Sequence, residues 1–234
     1  MTTISCKALL LDMDGVLVDS TPAVARVWTR WARKHNLDPE DVVRTAHGRT
    51  SLTSIRELLP HAEPAVHLQE NRWMERSEIE EIADVTALPG AQQLLATVPP
   101  SQLAVVTSST RDLAEVRLRA THLWPHIQHL VTASDITRGK PDPEPYLKGA
   151  ASLHLDPHYC VVIEDAPFGI HAGKAAGARV LAVRTTVEDD VLLAAGADWI
   201  INDCSAMRIS PAAPAGLLNL DLATDLPRRS PIMR

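Results

Sequence analysis

Two aspartates one residue apart, Asp12 and Asp14, interrupt the apolar run Leu9-Leu10-Leu11 and are followed at once by Gly15. The run reads as a buried strand of a parallel sheet, with the glycine releasing the chain from it. Open parallel sheets bind ligands beyond the carboxyl ends of their strands, which is where both carboxylates would stand. Carboxylates crowded together repel unless a cation or a shared proton intervenes. The pair therefore asks for a divalent metal and suits chemistry that needs one ionised and one protonated acid. Taken alone, the segment also reads as a plain strand-end turn.

Three further segments repeat this logic. Val105-Val106-Thr107-Ser108-Ser109-Thr110 ends a second apolar run in hydroxyls and leads into a helical pattern from Arg111. Hydroxyls beside the free N–H groups of a helix start make an anion site, although Ser109 or Thr110 can equally serve as a helix cap. Arg138-Gly139-Lys140-Pro141-Asp142-Pro143-Glu144-Pro145-Tyr146 sets one lysine in a stretch stiffened by three prolines. A cation held that way suits a phosphoryl group; in isolation it is also a solvated loop lysine. Val161-Val162-Ile163-Glu164-Asp165 is a third apolar run ending in acids, with Gly169 shortly after. Oxygen ligands from two such strand ends suit Mg²⁺, which takes one or two carboxylates, keeps waters and binds phosphate oxygens.

The elements that must position these groups follow from periodicity. Short apolar runs at Leu103–Val106, Leu130–Val131, Val161–Ile163, Val180–Val183 and Trp199–Ile201 alternate with helical patterns, which predicts an α/β fold around a parallel sheet. The stretch from about Thr21 to about Ala87 departs from that rhythm. Val24, Val27, Trp28 and Trp31 lie on one helical face, Leu52, Ile55, Leu58 and Leu59 on another before Pro60, and a third, more charged pattern spans Pro64 to Ile82. The expected division is an α/β core from 1–18 and 88–209, a helical insert over 19–87, and a loosely held tail over 210–234 with its four prolines. Trp28 and Trp31 are expected to form the core of the insert. Gly48-Arg49-Thr50 interrupts its helices and makes Arg49 its candidate for touching a ligand; His47 reads as helix termination or packing.

Composition sets outer limits. With 45% hydrophobic and 22% charged residues the chain has ordinary globular content, and a net charge of −6 without a basic run argues against nucleic acid as a partner. No apolar stretch approaches the roughly 20 residues of a membrane span. Met1–Lys7 lacks the build of a signal peptide, and Cys6, Cys160 and Cys204 lack zinc spacing. The expectation is three free buried thiols in a cytoplasmic protein.

Asp12-Met13-Asp14-Gly15, Thr107-Ser108-Ser109, Gly139-Lys140-Pro141 and Glu164-Asp165, taken in that order, resemble the four motifs of the haloacid dehalogenase superfamily. The helical insert resembles its C1-type cap. Ala46-His47-Gly48-Arg49-Thr50, Tyr146-Leu147-Lys148-Gly149-Ala150 and Cys160–Pro167 are similar to segments of bacterial sugar- and hexitol-phosphate phosphatases and of glycerol-3-phosphatases. The resemblance implies a Rossmann-like core with an inserted cap, and a phosphomonoesterase in which Asp12 attacks phosphorus while Asp14 serves as general acid and then base. It further implies Mg²⁺ held by Asp12, Asp14 (through its backbone carbonyl), Asp165 and Glu164, the last directly or through water. Ser108, Ser109 and Lys140 would hold the phosphate oxygens, and Arg49 would read the leaving group. The implied partner is a small phosphorylated molecule, with neither nucleic acid nor membrane, bound by a monomer or weak oligomer. Two other readings stand beside it. Phosphosugar mutases of the β-phosphoglucomutase type carry a cap histidine where this chain has Val24; non-enzymatic phospho-aspartyl switches place the acid pair and the phosphoacceptor in the opposite order.

Overall fold

The computed structural model describes residues 2–212 and 216–223. The chain enters through β1 (Thr2–Cys6) and β2 (Ala8–Leu11), turns at the aspartates and forms the short β3 (Val18–Asp19). Four helices follow: α1 (Thr21–Lys34), α2 (Pro39–Ala46), α3 (Ser51–Leu58) and α4 (Pro64–Glu80). The short β4 (Thr86–Ala87) leads to α5 (Ala91–Thr97), β5 (Leu103–Val106) and α6 (Arg111–Ala120). Then come β6 (Leu130–Val131), α7 (Glu144–Ser152), β7 (Cys160–Glu164), α8 (Pro167–Ala175), β8 (Arg179–Val183), α9 (Asp189–Ala195) and β9 (Trp199–Ile201). A hairpin of β10 (Met207–Ala212) and β11 (Leu217–Leu222) closes the described chain.

Six strands form one sheet in the order β6-β5-β2-β7-β8-β9, and every neighbouring pair is parallel. This is the expected α/β fold, strand for strand. Alternate residues of β2, β5 and β7 supply two separate apolar clusters. Leu9, Leu11, Val105 and Ile163 face one side, and Leu10, Ala104, Val106 and Val162 face the other. Both faces being covered is why these strands read as unbroken apolar runs. The chain starts the sheet at β2, builds outward to β6, then returns to β7 on the other flank of β2. The order reverses between β2 and β7, and the crevice beyond their carboxyl ends is where such sheets bind ligands.

The two connections of the helical layer run side by side, with β3 and β4 paired antiparallel at Val18↔Ala87 and Asp19↔Thr86. Val27, Trp28, Trp31, Val42, Ile55 and Met74 form a cluster of their own, which places both tryptophans in the core expected for them. Sequence periodicity gave three helices here, and α2 is a fourth. Its start was written in Asp38-Pro39: the Asp38 side chain accepts from the N–H groups of Glu40 and Asp41, and Pro39 occupies the first turn, where its missing N–H costs nothing. All three cysteines are free and buried, and burial pushes Cys6 and Cys204 up to about 12 and Cys160 to about 11. No helix among the described residues is long and apolar enough to cross a membrane.

The expectation of a loose tail from residue 210 is corrected by the hairpin. β11 pairs antiparallel with both β10 and β1, giving a three-stranded sheet in the order β1-β11-β10. Leu218, Leu220 and Leu222 alternate with outward residues and bury against Ile4 and Cys6. On the outer face Thr3 donates to Asp221, and Ser5 donates to Asn219 at 2.8 Å. The period-two pattern of Leu217–Leu222 was present in the sequence but masked by the prolines around it. Pro211 is tolerated because β10 is the edge strand. Residues 213–215 and 224–234 of the expected tail lie outside the described residues. Leu220→Ala should cost about 2–5 kcal/mol in urea unfolding, the usual range for deleting a buried leucine; a loosely held segment would show no change.

Candidate active site

Asp12 leaves the end of β2 and donates its N–H to Ile163 O at 3.0 Å, extending the ladder to β7. This pairing sets Asp12 beside the acids that end β7. Carboxylate oxygens of Asp12, Glu164 and Asp165 lie within 4.8 Å of one another, all buried. Lys140 answers them from the loop before α7, its Nζ 2.9 Å from Asp12 Oδ1 and 2.6 Å from Glu164 Oε1. Burial alone would lower the pKa of Lys140, but the charges of Asp12 and Glu164 outweigh it and hold the ammonium. Burial likewise pushes Asp12 well above the carboxylate range against the pull of Lys140, and it raises Asp165 against the pull of His47.

Two glycines permit this crowding. Gly15 has φ +79°, and a Cβ there would fall 2.0 Å from Asp165 Oδ2; one on Gly169 would fall 1.6 Å from Glu164 Oε1. Glu164 itself is fully engaged. Oε1 accepts from Lys140 and from the Tyr146 hydroxyl at 2.8 Å, and Oε2 accepts from the N–H groups of Asp165 and Ala166 at 2.9 and 3.2 Å. Glu164, expected to assist a metal directly or through water, thus also holds the lysine and the loop, while Asp12 and Asp165 offer the less engaged oxygens of the three. Asp12 Oδ1 is buried and, despite its ionic contact with Lys140, has no aligned hydrogen bond. Hard oxygen donors whose ionised forms burial disfavours fit a divalent cation, whose charge offsets that burial. The Thr186 hydroxyl steadies Asp165, 2.8 Å from Oδ2 and 2.9 Å from the carbonyl.

Asp14, two residues after Asp12, is less buried and differently held. Its Oδ1 accepts from Ser20 Oγ at 2.6 Å and Arg117 Nη1 at 2.9 Å, and its Oδ2 accepts from Ser109 Oγ at 3.1 Å. Ser109, expected to hold phosphate, donates its N–H to Thr107 Oγ1 at 3.1 Å and its hydroxyl to Asp14. Ser108 Oγ donates to Gly48 O at 3.4 Å, so it lies where the helical layer meets the core.

One cavity joins these groups, lined by Asp12, Asp14, Ser108, Ser109 and Asp165 below and by Val24, Trp28, His47, Arg49, Glu75 and Glu78 above. Arg49 pairs with Glu57 at 2.6 Å and stacks over Phe168, 5.1 Å from the ring centre, leaving its buried Nε without a partner. His47 ends α2, as the sequence suggested, and also reaches Asp165, with Nε2 3.6 Å from Oδ2. That carboxylate favours the imidazolium and raises the His47 pKa above the ordinary value. Sequence reasoning missed Arg117 and Glu78, which pair at 3.0 Å in the interior. A signal existed for each. Arg117 follows Leu113 and Glu78 follows Met74 by one helical turn, so each charge sits on an apolar stripe. Burial pushes the Glu78 carboxyl up, with Arg117 opposing. Asp198 is structural, as its surroundings show: it accepts from the Val180 N–H at 2.7 Å and pairs with Lys174.

A sheet with this reversal point, acids at its two central strand ends and a buried lysine facing them, defines a parallel α/β protein of the Rossmann-like class with a polar crevice at its switch point. The family model described as haloacid dehalogenase-like hydrolase matches residues 9–183, and the chain belongs to that family. It is 43% identical over 185 residues to hexitol phosphatase A of Escherichia coli (strain K12), covering 78% of this chain and 85% of that protein. It is 33% identical over 218 residues to glycerol-1-phosphate phosphohydrolase 2 of Saccharomyces cerevisiae, covering 88% and 86% of the two. Among solved structures it is similar to a hydrolase from Pseudomonas syringae, with a TM-score of 0.76 and 25% identity over 85% of this chain and 94% of that one.

Removing Lys140 alone strands buried Glu164. Lys140→Met should destabilise the fold by about 3–5 kcal/mol in urea unfolding. The double variant Lys140→Met/Glu164→Met should recover part of that loss, whereas a loop lysine in water would leave stability unchanged in both.

Proposed function

We propose that the chain is a Mg²⁺-dependent phosphomonoesterase that hydrolyses small sugar, hexitol or glycerol phosphates through an aspartyl-phosphate on Asp12. The observation that carries this is the meeting of Asp12, Asp165 and Lys140 at the reversal point of the sheet, with Asp14 on the same loop. The likeness to a hexitol phosphatase and a glycerol-1-phosphate phosphohydrolase supports the substrate class.

Residues Asp12 and Asp165, with the backbone carbonyl of Asp14, would hold Mg²⁺, which when bound supplies positive charge to the phosphate oxygens. Asp12 attacks phosphorus in line, forming an acyl phosphate as the bond from phosphorus to the ester oxygen breaks. Asp14 gives its proton to the departing alkoxide. A water then attacks the same phosphorus, Asp14 takes its proton, and the Asp12 carboxylate and inorganic phosphate are regenerated. Lys140 neutralises phosphate oxygens, because the geometry that holds it against Asp12 also holds it against a group bonded to Asp12. Ser108 adds a hydroxyl donor. Residues 19–87 act as a cap that closes over the 1–18 and 88–209 core by bending at the paired β3 and β4, excluding water and enclosing a small leaving group.

The mutase reading asks for a proton-transferring side chain at Val24, which lines the cavity and has none to give. The switch reading finds no support in a chain of a hydrolase family.

The direct test is phosphate release across hexitol, sugar and glycerol phosphates, nucleotides and phosphopeptides. Turnover should require Mg²⁺, stop in chelator, and be poor with Ca²⁺, whose looser coordination misplaces the attacking carboxylate. Full activity in chelator, or a preference for phosphopeptides, would overturn the reading. Arg49→Ala should lower kcat/KM on the preferred ester by about tenfold or more, the scale of one hydrogen bond to a charged group. The loss on p-nitrophenyl phosphate should be smaller, since a cap contact acts on the leaving group and the core acts on the phosphoryl group. Equal losses would assign Arg49 to the phosphate or to the fold.

A further inference from the structure

Arg117 belongs to α6 of the core, is almost wholly withdrawn from solvent, and reaches in two directions. Its Nη1 donates to Asp14 Oδ1 at 2.9 Å and Ser109 Oγ at 3.2 Å, and its Nη2 donates to Glu78 Oε2 at 3.0 Å. Asp14 lies on the loop after β2, whereas Glu78 lies on α4 of the helical layer, so a single buried guanidinium spans the two. Nε has no partner, so these three contacts hold the group. A buried charge that loses one partner is left uncompensated, which makes the contact with Glu78 hard to give up without the guanidinium moving.

We propose that Arg117 is a positioning residue that makes the placement of the Asp14 carboxyl depend on docking of the cap. With Glu78 seated, the guanidinium is gripped from the cap side and fixes Asp14 Oδ1. With Glu78 withdrawn, one branch of the guanidinium loses its anion, the group is drawn towards solvent, and Asp14 is left to the hydroxyls of Ser20 and Ser109. Proton donation to the leaving oxygen is then competent only beneath a closed cap. This inference rests on the phosphatase reading above.

A salt bridge that merely stabilises the fold would affect all esters alike, and the leaving group separates the two cases. An alkoxide needs a proton as it departs, whereas p-nitrophenolate does not, and kcat/KM covers the steps through that departure. The experiment measures kcat/KM for Glu78→Gln, Arg117→Lys and the double variant on p-nitrophenyl phosphate and on sorbitol 6-phosphate, or glycerol 3-phosphate if that is turned over faster. Inhibition by inorganic phosphate is measured alongside, to report on the core phosphate site. Each single variant should lose about tenfold or more on the alkyl ester, a part of the usual contribution of a general acid, and less than about threefold on p-nitrophenyl phosphate. Phosphate inhibition should not move, and the double variant should be no worse than Arg117→Lys alone within about twofold, because the two residues act as one unit. Equal losses on both esters, no loss on either, or multiplied losses in the double variant would overturn the inference. Should Arg117→Lys fail to fold, the near-isosteric Glu78→Gln alone must show the split between esters. A wild-type protein inactive on every ester overturns the phosphatase reading, and this inference with it; an active wild type without the split overturns this inference only.

Discussion

Three carboxylates, from Asp12, Glu164 and Asp165, are held within 4.8 Å of one another in the interior, and like charges at that range must be compensated. Much of the surrounding structure answers this demand. Lys140 is drawn out of solvent to face two of them. Tyr146 and two backbone amides occupy what remains of Glu164, and Thr186 steadies Asp165. Glycines stand at 15 and 169 because a side chain there would collide with the acids. The compensation is incomplete: burial still pushes Asp12 and Asp165 upward, and the positive charge of a divalent cation would offset that push. Charge placed in advance in a dry site is what phosphoryl transfer asks of a protein, since little else about the reaction needs help.

The helical layer rests on this site through polar contacts. Arg117 bridges Asp14 and Glu78, Thr110 donates to Glu75, and the turn between α2 and α3 brings His47 beside Asp165 and Gly48 above Ser108. Its own apolar cluster is separate from those of the sheet. Ala23 of α1 and Val85, near the end of the layer, add a small apolar contact with the sheet's own cluster. The two strands that carry the chain across, β3 and β4, pair with each other, so both crossings lie side by side.

What could be read from the sequence follows from how local each signal is. The central strands of the main sheet were legible because burial on both faces removes every charge from Ala8–Leu11, Leu103–Val106 and 160–163. Asp12, Lys140 and Asp165 were legible because strand ends and proline-fixed loops declare their position. The contacts of Glu164 with Lys140 and Tyr146 were not, because they depend on α7 and the loop before it arriving beside β7. Arg117 and Glu78 were hidden for the same reason: each is an odd charge on an apolar stripe, and only the packing of α4 against α6 turns the two into a pair. The hairpin of β10 and β11 was obscured by proline content, which describes a segment's composition and not the partner β1 that it finds at the other end of the chain.

In the proposed mechanism Asp12 becomes phosphorylated and Asp14 serves the proton transfers around it. The most direct measurement is mass spectrometry of Asp14→Asn protein quenched in acid after brief exposure to p-nitrophenyl phosphate and Mg²⁺. This leaving group departs without a proton, whereas hydrolysis of the acyl phosphate needs the lost base, so the peptide carrying Asp12 should gain one phosphoryl group, and Asp12→Asn/Asp14→Asn should gain none. A phosphoryl group on any other residue, its persistence in the double variant, or none on Asp12 in Asp14→Asn would rule out this mechanism.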